Sequence, residues 1–143
     1  MKKIALLLVI LFAGAMFLTS CMKKDEPAEA KAGKVKWYYS FDKGQTEAKK
    51  LNKPMMVDFY TDWCSWCKKL DKNVYTDPKV QTLAQRFVCI KIDADKNELL
   101  KQKYNIKGYP TVLILSPDGA LITTILGYRE PAAFAAALKQ GLK

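Results

Sequence analysis

Along residues 35–142 the apolar positions change period several times, passing between strand-like runs and helical stripes. Residues 35–39 (VKWYY) form a short β-prone run, and 41–53 are lysine- and alanine-rich and read as a helix that Pro54 stops. Residues 55–60 (MMVDFY) are almost wholly apolar and of strand length, as expected of a central strand covered on both faces. A helical pattern runs from 64 to 86, interrupted near Asp77-Pro78, and 87–92 form another buried strand. Residues 97–104 are helical and 111–115 are a third core strand. Ser116-Pro117-Asp118-Gly119 carries the residues of a tight turn. Residues 120–126 return as an antiparallel partner, and 130–142 form a last amphipathic helix. The order βαβαβαββα predicts an α/β fold, a mixed sheet flanked by helices on both faces.

The first twenty residues have a different character. Met1-Lys2-Lys3 is a basic start, and 4–18 follow without a charge. That apolar stretch would span about 22 Å as a helix, short of the ~30 Å hydrocarbon core, so it reads as a signal peptide rather than a spanning segment. Leu18-Thr19-Ser20-Cys21 resembles a bacterial lipobox, which implies cleavage before Cys21 and diacylation of that cysteine, which becomes the new N-terminus. An ordinary secretory leader, with Cys21 incidental, is the alternative. In Gram-negative envelopes, Met22 after such a cysteine resembles the default sorting signal for the outer membrane. Residues 21–34 are polar, contain Pro27, and read as a lipidated cysteine followed by a flexible tether. The expected organisation is therefore leader 1–20, tether 21–34 and one globular domain over 35–143, a usual domain size.

Composition narrows the chemistry. Lysine and arginine number 24 against 14 acidic residues, a formal net charge of +10, and histidine is absent. Without histidine there is no Ser-His-Asp triad, no Cys-His pair and no imidazole metal site. The lysines are spread along the chain, which suits a solvated basic surface near anionic lipid better than a nucleic-acid patch. Asp93-Ala94-Asp95 begins like a calcium loop, but Glu98 stands where its glycine should be and Tyr104 ends it, so no metal is expected there.

Trp63-Cys64-Ser65-Trp66-Cys67-Lys68 lies where the central strand gives way to a helix. Two residues between the cysteines, within one helical turn, bring the sulfurs into disulfide reach. The free N–H groups and positive dipole at a helix start favour a thiolate at Cys64, and Lys68 could add to this, so a pKa below the ~8.5 of free cysteine is expected. Cys67 would lie deeper, where it can attack a mixed disulfide formed through Cys64. A zinc site needs four ligands that the chain does not offer, and a purely structural disulfide is the remaining alternative.

Gly108-Tyr109-Pro110-Thr111 precedes a core strand. Taken together, Val57-Asp58-Phe59-Tyr60, Trp63-Cys64-x-x-Cys67, Ile92-Asp93, Tyr109-Pro110-Thr111 and Gly127 resemble the thioredoxin family over about residues 35–142. Tyr75-Thr76-Asp77-Pro78-Lys79-Val80 resembles in particular the C-terminal periplasmic domain of DsbD-type thiol:disulfide interchange proteins and exported thioredoxin-like lipoproteins. The resemblance implies that Cys64 is the nucleophile and Cys67 the resolving thiol. It implies that Pro110 is cis and faces the site, with Tyr109 presenting backbone to a peptide. Asp58 matches the family's buried acid; the other reading is a carboxylate capping a strand end in water. Trp63 reads as packing beside the site and Trp66 as an exposed contact, so both join Tyr109 and Pro110 as candidates for substrate binding.

Two departures stand out. Ser65-Trp66 replaces the Gly-Pro of thioredoxins proper, which bears on the direction of electron flow. The lysine that pairs with the buried acid looks absent: counting back from Ile92-Asp93 puts Cys89 in its place, although Lys91 is close. Cys89 itself reads as an inert core thiol.

The expectation is a lipid-anchored, extracytoplasmic thiol–disulfide oxidoreductase acting as a reductant, with no cofactor beyond the Cys64–Cys67 disulfide. Its partners would be disulfide-bearing substrate proteins, a membrane electron donor of DsbD type, and the lipid held through Cys21. Nucleic acid is not expected, nor is a dimer. The alternatives are an oxidant or isomerase using the same cysteines, and a copper-binding or assembly factor holding Cu(I) on both thiolates.

Overall fold

A computed structural model describes residues 33–143; the leader, Cys21 and most of the tether lie outside the described residues. The chain order is β1 (Trp37–Tyr38), α1 (Phe41–Leu51), β2 (Met55–Tyr60), α2 (Ser65–Asn73), α3 (Pro78–Ala84), β3 (Val88–Asp93), α4 (Glu98–Lys103), β4 (Thr111–Leu115), β5 (Leu121–Leu126) and α5 (Pro131–Gln140). Local chemistry sets the boundaries. Ser40 caps α1 by accepting from the Lys43 N–H, and Asn52 ends it in the left-handed conformation, two residues before the proline that the sequence pointed to. The interruption near Asp77-Pro78 is a new helix start: Asp77 Oδ1 accepts from the N–H groups of Lys79 and Val80 at 2.9 and 3.1 Å, with Pro78 in the first turn. The β-prone run at 35–39 pairs only at Trp37 and Tyr38.

The five strands lie in the order β1-β3-β2-β4-β5. β1 and β2 flank β3 in parallel, while β4 is antiparallel to β2 and to β5. Both sheet faces are covered, which is why β2, β3 and β4 are buried along almost their whole length and are mostly apolar. On one face α2, α3 and α5 bury Leu70, Val80, Phe134 and Leu138 against Met56, Cys89, Val112 and Ile114. On the other, Phe41 and Ala48 of α1, with Leu100 of α4, pack on Val57, Phe59, Ile90 and Leu113. Helix α1 sits tight on the sheet because Gly44 faces Ile90, leaving no room there for a Cβ. The parallel strands all point one way, so β2 delivers the chain to α2 at one end of the sheet and β1 begins towards the other. Among the described residues no helix is long and apolar enough to cross a membrane.

Candidate active site

Strand β2 ends at Tyr60, and four residues later Cys64 forms the N-cap of α2 in an extended conformation. Its sulfur accepts from the Cys67 N–H at 3.1 Å, so the side chain takes one of the donors that a helix start leaves unpaired. Cys64 and Cys67 are joined as a disulfide with Cα atoms 5.3 Å apart, inside the span that a bridge needs. Cys64 is 6% exposed and Cys67 3%, and Cys64 lines an opening at the surface. Lys68 is exposed one turn into the helix.

Aromatic rings frame that opening. Trp63, 69% exposed, meets Tyr109 edge-on at 5.8 Å, and its indole N–H donates to Asp95 Oδ2 at 2.9 Å. It is therefore held at the surface by a hydrogen bond, and packs less than its sequence context suggested. Trp66, 54% exposed, lies 5.4 Å from Tyr128, with the Lys69 ammonium over both rings at 5.1 and 4.4 Å. Glu130 completes this group, accepting from the Tyr128 hydroxyl at 3.1 Å and facing Lys69 at 3.9 Å. The Tyr109–Pro110 peptide is cis. The Pro110 carbonyl accepts from the N–H of Gly127, a residue at φ +71°, and this joins the Tyr128 loop to the proline. Trp63, Cys64, Trp66, Lys107 and Tyr109 line one shallow groove over the disulfide.

Asp58 lies inside, on the sheet face that α2 covers, and is 1% exposed. Burial pushes its carboxyl up to about 6, although Lys91 beside it pulls the other way. Lys91 Nζ stands 3.6 Å from Asp58 Oδ2 and donates to Asp71 Oδ1 on α2, so one buried ammonium links the strand carboxylate to a half-exposed helix carboxylate. Trp37, Tyr60 and Tyr75 surround it with ring faces at 5.2–5.5 Å. The second Asp58 oxygen, Oδ1, and the buried Tyr75 hydroxyl find no hydrogen-bond partner of proper geometry among the described residues. They are nonetheless close enough for each to shift the other: the hydroxyl lowers Asp58, and the carboxylate helps to raise Tyr75, which burial already holds well above its usual range. Orphaned buried oxygens cost about 1–3 kcal/mol each, which makes their presence at this spot notable.

Of the residues expected at the site, Trp63, Cys64, Trp66 and Tyr109 line one groove, with Cys67 bonded to Cys64 and Pro110 following Tyr109, and Asp58 is buried two residues before the end of β2. The expectation of a missing lysine is corrected: Lys91 pairs with Asp58. Cys89 stays a free core thiol, 3% exposed and pushed up to about 12 by burial, its S–H directed at the Ala84 carbonyl. Asp93, the first residue of the calcium-like stretch, accepts from the Asp95 N–H and binds Lys96 at 2.7 Å. Sequence reasoning missed Lys69, Asp71, Tyr75 and Tyr128. For Tyr128 the available signal was its place directly after Gly127.

A helix-capping cysteine closed onto a second, more buried one, beside a cis-proline loop, defines a thiol–disulfide oxidoreductase of the dithiol type. Residues 41–142 match the thioredoxin-like domain family, and the chain belongs to it. Among curated proteins it is similar to the thiol:disulfide interchange protein DsbD of Yersinia pestis (strain Pestoides F), 33% identical over 93 residues, 61% of this chain and 16% of that protein. The chain thus spans about a sixth of the length of such relatives. Among solved structures it resembles a thioredoxin from Thermus thermophilus, with a TM-score of 0.68 and 28% identity over 76% of this chain and 87% of that one. It also resembles the C-terminal domain of Neisseria meningitidis DsbD in its reduced form, with a TM-score of 0.62 and 25% identity over 68% of this chain and 90% of that one.

Proposed function

We propose that this protein is an exported, lipid-anchored dithiol reductant of protein disulfides. The observation that carries the reading is the Cys64 sulfur at the α2 N-cap, accepting the Cys67 N–H, with Cys67 enclosed behind it. In the reduced protein, Cys64 as thiolate attacks one sulfur of a substrate disulfide, and the other sulfur leaves as a thiolate. Cys67 then gives its proton to the Asp58 carboxylate and attacks Cys64 Sγ, which expels the second substrate sulfur and closes the Cys64–Cys67 bond. Two electrons pass to the substrate and no added cofactor takes part. Trp63, Trp66, Tyr109 and Pro110 receive the substrate chain.

Re-reduction requires a dithiol donor outside the cytoplasm, and similarity to a domain of DsbD supports a membrane donor of that type. Acylated Cys21 holds the domain to a bacterial membrane, the outer one in a Gram-negative envelope, facing the periplasm. The domain acts as a monomer.

The reduction potential of the Cys64–Cys67 pair in defined thiol buffers tests the direction. A value near or below about −230 mV is expected, and one near about −120 mV overturns the reading in favour of an oxidant. Labelling cells with a palmitate analogue tests the anchor: label on the chain that survives in Cys21→Ser removes it from the proposal.

A further inference from the structure

The hydroxyl of Tyr75 has no packing reason to be there. The ring alone fills the space, edge-on to Trp37 at 4.8 Å and to Phe134 at 5.7 Å, and phenylalanine would do the same. The backbone fixes the ring as well: the Tyr75 N–H donates to the Leu70 carbonyl at 3.1 Å, and its own carbonyl accepts from Gln81 Nε2 at 3.2 Å. Held in this way, the 5%-exposed residue has its ring face 5.5 Å from the Lys91 ammonium, and its hydroxyl interacts with the Asp58 carboxylate. Asp58 Oδ1, the oxygen that Lys91 does not face, is the other orphan of this pair.

We propose that Tyr75 is a positioning residue for thiol–disulfide exchange, its hydroxyl serving as the reversible hydrogen-bond partner of Asp58 Oδ1. A hydroxyl can donate to a carboxylate and accept from a carboxylic acid. It therefore pairs with Asp58 both before and after a proton arrives, and Lys91 remains on the other oxygen throughout. The donated bond to the charged form is the stronger of the two, so Tyr75 favours the carboxylate that accepts a proton from Cys67. Among the described residues, the ionisable groups around this pair are Lys91 and Cys89 of β3, Tyr60 of β2 and Asp71 of α2. Asp71 repels charge on Asp58 and Lys91 attracts it; neither replaces a donor at Oδ1. The inference rests on the reading of Asp58 as the proton acceptor.

The test uses the full chain with carbon-13 in its aspartate carboxyls, titrated by NMR in the oxidised and reduced states, alongside the pH profile of single-turnover reduction of a nitrobenzoate disulfide. Asp58→Asn assigns the Asp58 signal. In Tyr75→Phe, which keeps the ring and its packing, the Asp58 midpoint should rise by about half a pH unit or more, a threefold gain in proton affinity. The kinetic midpoint should move with it. An unchanged Asp58 midpoint in Tyr75→Phe overturns the pairing, and a shifted midpoint with an unchanged rate profile overturns the role in exchange. If Asp58→Asn itself keeps the wild-type profile, the reading of Asp58 as acceptor fails first, and the proposal for Tyr75 fails with it.

Discussion

Asp58 and Lys91 stand at the same level of two adjacent parallel strands, and the lysine Nζ is 3.6 Å from the carboxylate. Lys91 is the largest influence holding Asp58 down against burial. Replacing it with methionine should therefore raise the Asp58 midpoint above its value of about 6, by about 1–3 units. A carboxyl NMR titration reads this directly; a midpoint that stays put or falls would show that the pair does not interact.

Asp58 also makes stability depend on pH. Its midpoint is about 6 folded against an ordinary 3.8, so the folded chain binds this proton more tightly than the unfolded one. The stability it contributes is complete below about pH 3.8 and is lost as pH rises through 6. Asp58→Asn, which cannot ionise, should be more stable than wild type by about 2–3 kcal/mol at pH 7 and nearly equal to it below pH 4. Urea midpoints at the two pH values check this; equal stability at both would contradict it.

The two cysteines should behave differently once reduced. Cys64, at the helix start, should alkylate with a pH midpoint below the ~8.5 of a free thiol. Cys67→Ser should accumulate a mixed disulfide through Cys64, visible by mass, whereas Cys64→Ser should accumulate none. Trapping through Cys67 would reverse the roles assigned here.

The Trp66–Tyr128 pair should matter to large substrates only. Tyr128→Ala should raise KM for a protein disulfide about tenfold and leave the reduction of a small aromatic disulfide within about twofold of wild type. An equal loss on both would mean that the ring supports the cysteines rather than the partner.

Gly44→Ala offers a test of the fold. In an exposed helix the change would stabilise by about 1 kcal/mol. Here the new Cβ would meet the Ile90 side chain of a strand buried on both faces, so a net loss of about 1–2 kcal/mol is expected from urea unfolding. A gain would mean that α1 can lift from the sheet.

The elements that position the cysteines were legible because their signals are local: a continuous apolar run for β2, a cysteine spacing for α2, and Asp77-Pro78 for the start of α3. The lysine partner of Asp58 was not, because it depends on how two strands align. Counting along the chain gives the acid's partner position to Cys89, but the parallel register sets Cys89 beside Met56 and Lys91 beside Asp58. The Trp66–Tyr128 contact was hidden for a similar reason, since it joins α2 to the loop after β5 and no periodicity reports that approach. Burial of Asp58, by contrast, could be read from its place within an apolar strand of the central kind.

The common direction of β1, β3 and β2 gives the domain a front and a back. Trp37 is level with Cys89 and Met56, near the rear of the sheet, whereas β2 runs on past Asp58 before reaching Cys64. The chain thus joins the body on the side away from its reactive sulfurs, and strands of this length separate the two by about 20 Å. Under the proposed anchoring, the lipid would hold the domain from behind and turn its disulfide outward, free to meet the proposed electron donor and substrate without the attachment standing between.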